Sequence, residues 1–154
     1  MVTVMIDLTY DRKERAYQWT DPNSGEIFSF AGTGKQVKQE AWRFAVSMLD
    51  PEIYTTAVSL IDRFPMLERV IWRGVERFLD GAVEIFPAPA GDVVAMVDSS
   101  SDVYGRHAIR NDDGHLTCDC YAFTNMEAPL IPNGRRVCSH LAAYRLALTR
   151  EERF

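Results

Sequence analysis

Residues 118–140 read CDCYAFTNMEAPLIPNGRRVCSH and contain every cysteine of this 154-residue chain. Two cysteines stand two positions apart, a gap of 17 residues follows, and the third cysteine stands two positions before a histidine. Thiolate sulfur and imidazole nitrogen are the ligands of structural zinc sites, and four of them complete a tetrahedron. The pattern therefore predicts a Zn²⁺ site with four ligands: Cys118, Cys120, Cys138 and His140.

The sequence around this pattern predicts strands and a helix. Residues 103–110 and 115–120 read as antiparallel strands joined by the Asn-Asp-Asp-Gly turn at 111–114, which is typical of a hairpin. A further strand is predicted at 93–97, and the apolar residues of 139–149 follow helical spacing. Two ligands on a strand and two at the entry of a helix would clamp a ββα module.

Residues 1–90 contain apolar stripes of helical period, which predict three helices. Their expected ranges are 33–49, 50–64 and 66–79. Thr33 and Gln36 fit a capping box at the start of the first helix, and Met48 falls on its apolar face. Asp50 is expected to cap the second helix.

The predicted fold class is α+β. Strands are expected at 2–8 and, as a β-hairpin around a Pro-Asn-Ser-Gly turn, at 16–19 and 27–30. Pro87, Pro89 and Gly91 indicate a loop that would separate two domains. The first, residues 1–90, holds the N-terminal hairpin and the three helices and is of unknown type, and the second, residues 91–154, is the zinc-clamped module.

The pattern C-x-C, variable gap, C-x-H resembles the SWIM zinc finger family. The similarity covers about residues 93–149 and includes Tyr104, Phe123 and the run HLAAYRLAL that begins at His140. Tyr121 stands where the family often has proline, and the gap is at the longer end. The resemblance implies that the three cysteines and His140 are the metal ligands, and that the protein binds DNA or other proteins.

Other interpretations of the cysteines remain open at this stage. A disulfide would leave one cysteine unpaired and is disfavoured inside a cell. The three thiols could also be buried without a metal. His107 or His115 could supply the fourth ligand, although His140 stands at the spacing from Cys138 that the SWIM family uses.

Charge is unevenly distributed along the chain, whose net charge is −5. Residues 104–154 contain seven Arg and no Lys, against six acidic residues. Arginine is suited to bidentate contacts with phosphate. Folding around zinc could gather five of these residues into a basic patch, or they could belong to an ordinary mixed surface: Arg106, Arg110, Arg135, Arg136 and Arg145.

The predicted function is that of a zinc-binding accessory protein. It would bind nucleic acid, DNA rather than RNA, directly or within a larger complex, with Tyr104 or Tyr121 available to stack on a base. The alternative is a protein-interaction adaptor. A closed four-ligand shell and the lack of a catalytic pattern predict no enzyme activity and no small-molecule substrate. Without an apolar run of about 20 residues or a signal segment, an intracellular protein, cytoplasmic or nucleoid-associated, without a membrane partner is expected.

Overall fold

The structure, a computed structural model, describes residues 6–99 and 105–151 and has a mixed α/β fold with two antiparallel sheets. Its strands are β1 (Thr9–Asp11), β2 (Ala16–Thr20), β3 (Ile27–Ala31), β4 (Val83–Ala90), β5 (Val93–Asp98), β6 (Arg106–Asp112) and β7 (His115–Cys118). Its α-helices are α1 (Lys35–Leu49), α2 (Pro51–Arg63), α3 (Glu68–Leu79), α4 (Tyr121–Thr124) and α5 (Ser139–Glu151). The predicted fold class is confirmed.

Two compact units divide the described residues, one comprising 6–56 and the other 57–99 and 105–151. Their boundary falls within α2 and differs from the division at residue 90 that the sequence suggested. Because the proposed domains 1–90 and 91–154 concern independent folding, that assignment stays a prediction.

The first unit is a three-stranded sheet covered by α1. The strands follow the order β1-β2-β3, and the predicted hairpin between β2 and β3 is confirmed. Aromatic rings fill the space between sheet and helix, with the Phe44 ring centroid 4.8 Å from that of Phe28 and 5.3 Å from that of Phe30. Met48 is 43% exposed, so its predicted place on the buried face of α1 is wrong.

The start of α1 differs from the predicted capping box. Gly34 is the N-cap residue and no side chain caps the helix. Gly32 and Gly34 have φ of 127° and 130°, a backbone region that favours glycine. This turn brings the helix to begin after Gly34, so Thr33 lies one position too early to cap it. By contrast, the Asp50 cap is confirmed, because its Oδ1 accepts the Ile53 N–H at 3.2 Å.

The predicted strand at 2–8 is wrong for residues 6–8, which lie outside any strand, while residues 2–5 fall outside the described part of the chain. Within the described residues the first strand is β1, which pairs with β2 from Thr9 opposite Gln18 to Asp11 opposite Ala16. The Asp11 carboxylate accepts the N–H of Lys13 at 2.9 Å and fixes the turn that follows. The turn after Asp11 therefore fixes the register between β1 and β2.

The second unit contains a four-stranded antiparallel sheet in the order β4-β5-β6-β7, with α5 packed against it and α3 packed on α5. The loop predicted at Pro87 and Pro89 is instead part of β4. Proline lacks a backbone N–H but is tolerated on an edge strand. Because β4 is the edge of this sheet and its register shifts between Ile85 and Ala90, both prolines are accommodated.

Glycine allows α3 and α5 to approach each other closely. A Cβ added to Gly74 would lie 2.7 Å from the Ala142 Cβ and 2.9 Å from the Ala143 nitrogen. A hydrogen bond spans the same pair of helices, since Arg77 Nε donates to Ser139 Oγ at 3.0 Å. Helix α3 is thus fixed to the helix that carries two of the predicted metal ligands.

Candidate metal centre

Three separate segments bring the predicted ligands together. Cys118 is the last residue of β7, Cys120 directly precedes α4, and Cys138 and His140 flank the first residue of α5. All four are buried, with 3–7% of their surface exposed. Their ligand atoms lie within 4.8 Å of one another. These four residues are named the Cys/His cluster below, and they could hold a metal ion.

The geometry of the Cys/His cluster fits a tetrahedral ion. Ligands bound at about 2.0–2.3 Å in a tetrahedron lie roughly 3.5–4 Å apart, and Cys138 Sγ is 3.9 Å from His140 Nδ1. His140 Nε2 is buried and has no hydrogen-bond partner within residues 6–99 and 105–151. An imidazole coordinates a metal through one nitrogen, so coordination through Nε2 would give that atom a partner, whereas coordination through Nδ1 would leave it unpaired.

The N-terminus of α5 prepares Cys138 for metal binding. The Leu141 N–H donates to Cys138 Sγ at 3.5 Å, so the sulfur occupies the position of a helix cap. The partial positive charge at a helix N-terminus stabilises a thiolate. The helix N-terminus therefore favours the thiolate form of Cys138, which is the form that binds a metal.

The three thiols strongly affect each other's ionisation. The hydrogen bond between Cys118 and Cys120 raises the pKa of Cys118 and lowers the pKa of Cys120. The pKa of Cys138 is raised to about 11, because the hydrogen bond with Cys118, which lowers it, is outweighed by that with Cys120 and by burial. Without a cation the cluster favours one thiolate stabilised by two thiols, and a divalent metal would displace the remaining protons.

Asp119 and His107 support the cluster from outside. The Asp119 carboxylate is not part of the cluster, and its Oδ1 lies 3.0 Å from His107 Nδ1. The same oxygen accepts the Ala108 N–H at 3.3 Å. The His107 ring packs at a tilt of 47° against the His140 ring, with centroids 4.4 Å apart. His107 and the exposed His115 both stand outside the cluster.

These supporting contacts were not anticipated from the sequence. The position of Asp119 between two cysteines was an available signal, because in an extended segment its side chain points to the face opposite its two neighbours. His107 gave no comparable signal, since its contact with His140 depends on how α5 packs on the sheet.

The structure separates the five predicted phosphate-binding arginines into two groups. Arg106 and Arg110 lie on β6 and form ion pairs, Arg106 with Glu84 at 2.8 Å and Arg110 with Asp92 at 2.7 Å. Glu84 belongs to β4 and Asp92 to the turn between β4 and β5, so acids from outside β6 compensate both charges. Of the residues expected to stack on a base, Tyr121 is exposed and Tyr104 lies outside the described residues.

The other three arginines meet at a groove beside α5. Arg135, Arg136 and Arg145 line a depression of about 210 Å³ whose remaining lining is apolar. We name it the α5 groove. Side chains of α2, α3 and α5 form much of it, together with Leu116 of β7 and the segment 131–137. The groove is next to the cluster in sequence, because Val137 lines it and Cys138 is a predicted ligand.

No family model matches the sequence, and neither the curated proteins nor the solved structures contain a significant match. Across the part of the chain that the structure describes, no helix has the length and apolar character needed to cross a membrane.

Proposed function

We propose that this protein is a zinc-stabilised accessory module with a SWIM-like finger, and that it acts by binding a macromolecular partner rather than by catalysis. The observation that carries the proposal is the Cys/His cluster, in which four buried donors surround one centre. A catalytic zinc usually keeps a position open for water or substrate. Four protein ligands leave no such position, so the metal is assigned a structural role.

Zinc is the metal that the donor set favours. Three thiolates and one imidazole in tetrahedral arrangement are typical of structural zinc, and zinc brings no redox chemistry that would oxidise its own ligands. Binding would join the end of β7, the start of α4 and the start of α5. Structural zinc contributes about 10–16 kcal/mol in finger peptides, which is comparable to the stability of a whole domain.

Zinc content and secondary structure test this assignment. We expect the His140→Ala variant to lose stoichiometric zinc, measured by mass spectrometry of the metal, and to lose helical circular dichroism. His115→Ala is the matched control, because His115 is exposed on the adjacent hairpin. A His140→Ala variant that keeps both zinc and the native spectrum would overturn the structural role of this residue.

A protein partner is the candidate that the α5 groove favours. Apolar side chains from three helices line it, and apolar grooves of this kind accept side chains of partner proteins. The protein would then serve as an adaptor within a complex, and this is the adaptor function that the sequence left as an alternative.

The second candidate partner is nucleic acid, with DNA preferred to RNA. It is supported by Arg135, Arg136 and Arg145, which form no ion pair within the described residues, unlike Arg106 and Arg110. Contacts from three arginines would give weak binding with a modest dependence on salt, because the salt dependence scales with the number of phosphates contacted. We would measure fluorescence anisotropy of labelled single- and double-stranded DNA and RNA at low and moderate salt.

Charge reversal identifies the surface responsible for any such binding. Binding that disappears in the double variant Arg135→Glu/Arg136→Glu, but persists in Arg69→Glu/Arg73→Glu, would support direct nucleic-acid contact. The control arginines are exposed on α3 and do not line the α5 groove. Equal loss in both variants would indicate a non-specific charge effect and would remove this candidate.

A further inference from the structure

The floor of the α5 groove is aliphatic. It is formed by side chains of α2, α3, α5 and the segment between α2 and α3, including Leu60, Phe64, Leu67, Ile71, Leu141 and Leu146. Leu67, Ile71, Leu141 and Leu146 are buried, whereas Leu60 and Phe64 are half-buried at its edge. The groove thus exposes apolar surface above a packed core, and covering that surface would be favourable.

Three guanidinium groups stand around this floor. Arg135 donates to the Gly114 carbonyl at 3.3 Å and Arg136 donates to the Ala128 carbonyl at 2.7 Å, so backbone contacts orient both side chains. Arg145 is exposed on α5. None of the three faces a carboxylate within 4.0 Å among residues 6–99 and 105–151, and a guanidinium has five N–H donors. Most of their hydrogen-bonding capacity is therefore directed to solvent or to a partner.

The size and lining of the groove restrict what binds there. Pockets that enclose a small molecule usually have volumes of about 300–1,000 Å³, and this groove of about 210 Å³ is smaller and open on one side. Nucleic-acid bases stack on aromatic rings, yet Phe64 is the one aromatic side chain in its lining. Aliphatic walls with a cationic rim instead complement apolar side chains flanked by carboxylates.

We propose that the α5 groove binds an acidic segment of a partner protein. Two or three apolar side chains of that segment would contact the aliphatic floor, while its Asp and Glu carboxylates would pair with Arg135, Arg136 and Arg145. A partner helix with apolar residues at positions i, i+3 or i+4, and i+7 would present such side chains together on one face. The inference rests on the proposed function as a partner-binding module and specifies the chemistry of the partner.

Peptide display tests this proposal, because a random library samples many candidate partner segments at once. The zinc-loaded full chain would be panned against a random library of 16-residue peptides, at about 0.15 M salt so that weak surface attraction is screened. We expect enriched peptides to combine Asp or Glu with Leu, Ile or Phe at helical spacing. Enrichment of basic peptides, or of none, would overturn the proposal.

The affinity of the best enriched peptide for single-residue variants then identifies the surface that binds it. We expect Arg145→Glu to weaken binding by about tenfold or more, and Leu60→Asp to do the same. Arg73→Glu, exposed on α3 outside the groove, is the control for net charge and should change affinity by less than about twofold. Equal effects of Arg145→Glu and Arg73→Glu would place the peptide elsewhere and overturn the assignment.

Two further measurements separate this inference from the proposed function. Arg145→Glu alters an exposed side chain, so its zinc content and circular dichroism should equal those of the unmodified chain; a loss of zinc together with peptide affinity would assign Arg145 to folding and overturn its role in binding. A single-stranded oligonucleotide that displaces the peptide with the same arginine dependence would assign the groove to nucleic acid. Neither result bears on the zinc assignment, which is tested separately by the zinc content and circular dichroism of His140→Ala.

Discussion

Asp119 holds the two-cysteine segment against the neighbouring strand. Its carboxylate accepts the Ala108 N–H and contacts His107, whose ring lies against His140. The residues next to a metal ligand often fix its orientation in this way, and removing such partners typically lowers metal affinity by about 10–100-fold. One exposed carboxylate thus influences ligands from two different segments.

Replacing Asp119 should therefore weaken metal binding without abolishing it. We expect Asp119→Ala to lower zinc affinity by about tenfold, because the Cys118–Cys120 segment loses two contacts to β6. Competition with a chromophoric chelator measures this affinity. Asp112→Ala, at the end of β6 and outside the cluster, provides the matched comparison, and equal affinities for both variants would exclude a supporting role for Asp119.

Metal affinity should also rise with pH. In the metal-free cluster the pKa values of Cys118 and Cys138 are raised above their ordinary values, so both thiols carry protons at neutral pH that a metal must displace. Zinc binding then releases protons, and its apparent affinity increases between about pH 6 and pH 8. Calorimetry in buffers of different ionisation enthalpy counts those protons. Binding without proton release would contradict this description of the cluster.

At the scale of elements, the contact between α3 and α5 depends on one glycine. Gly74 has no side chain at the point where a Cβ would meet the Ala142 Cβ at 2.7 Å and the Ala143 nitrogen at 2.9 Å. The second of these atoms is backbone, so it cannot move aside without shifting α5. Because α5 begins beside Cys138, the packing of α3 and the position of two predicted ligands are connected.

Gly74→Ala should destabilise the protein although alanine is the better helix former. Alanine gains up to about 1 kcal/mol in intrinsic helix propensity, whereas overpacking a tight contact typically costs about 1–3 kcal/mol. We expect a net loss of about 1 kcal/mol in the free energy of unfolding by urea. Ser59→Ala, on an exposed position of α2, isolates the propensity effect and should not destabilise. A stabilised Gly74→Ala variant would mean that the helices separate easily.

Local signals were sufficient for the elements that local chemistry determines. The β2–β3 hairpin, the Asp50 cap and the convergence of four ligand residues followed from turn residues, cap residues and spacing. The place of Pro87 and Pro89 in a strand could not be predicted from local signals. Proline is tolerated in an edge strand, and which strand forms the edge depends on contacts between residues far apart in sequence. In the same way, the acids that neutralise Arg106 and Arg110 come from β4 and from the turn between β4 and β5.

On the scale of the molecule, the net charge of −5 conceals a local excess of arginine. The sequence suggested one basic patch of five residues, of which Arg106 pairs with Glu84 and Arg110 pairs with Asp92. The remaining three surround an apolar groove rather than a flat surface. Such a site suits a partner that offers both carboxylates and apolar side chains. Carboxylates alone would contact only the arginines, and apolar side chains alone would contact only the floor of the groove.

Metal removal should loosen the α5 groove and leave the first compact unit unchanged. The segment 131–137 and the start of α5 both form the groove, and both adjoin Cys138, so an ion bound by Cys138 would fix their positions. We expect amide hydrogen exchange to accelerate at least about tenfold in residues 131–146 after chelation, while exchange in residues 16–31 stays the same. The latter belong to the unit that contains no member of the cluster.

Readdition of zinc provides the control, because restored protection shows that chelation caused the change. Magnesium is the matched treatment and should not restore protection, since it prefers oxygen ligands over thiolates. Unchanged exchange in residues 131–146 after complete metal removal would show that packing of α5 against α3 and the sheet maintains the groove by itself. The metal would then stabilise the 121–137 connection alone, and binding of an acidic peptide would be independent of zinc.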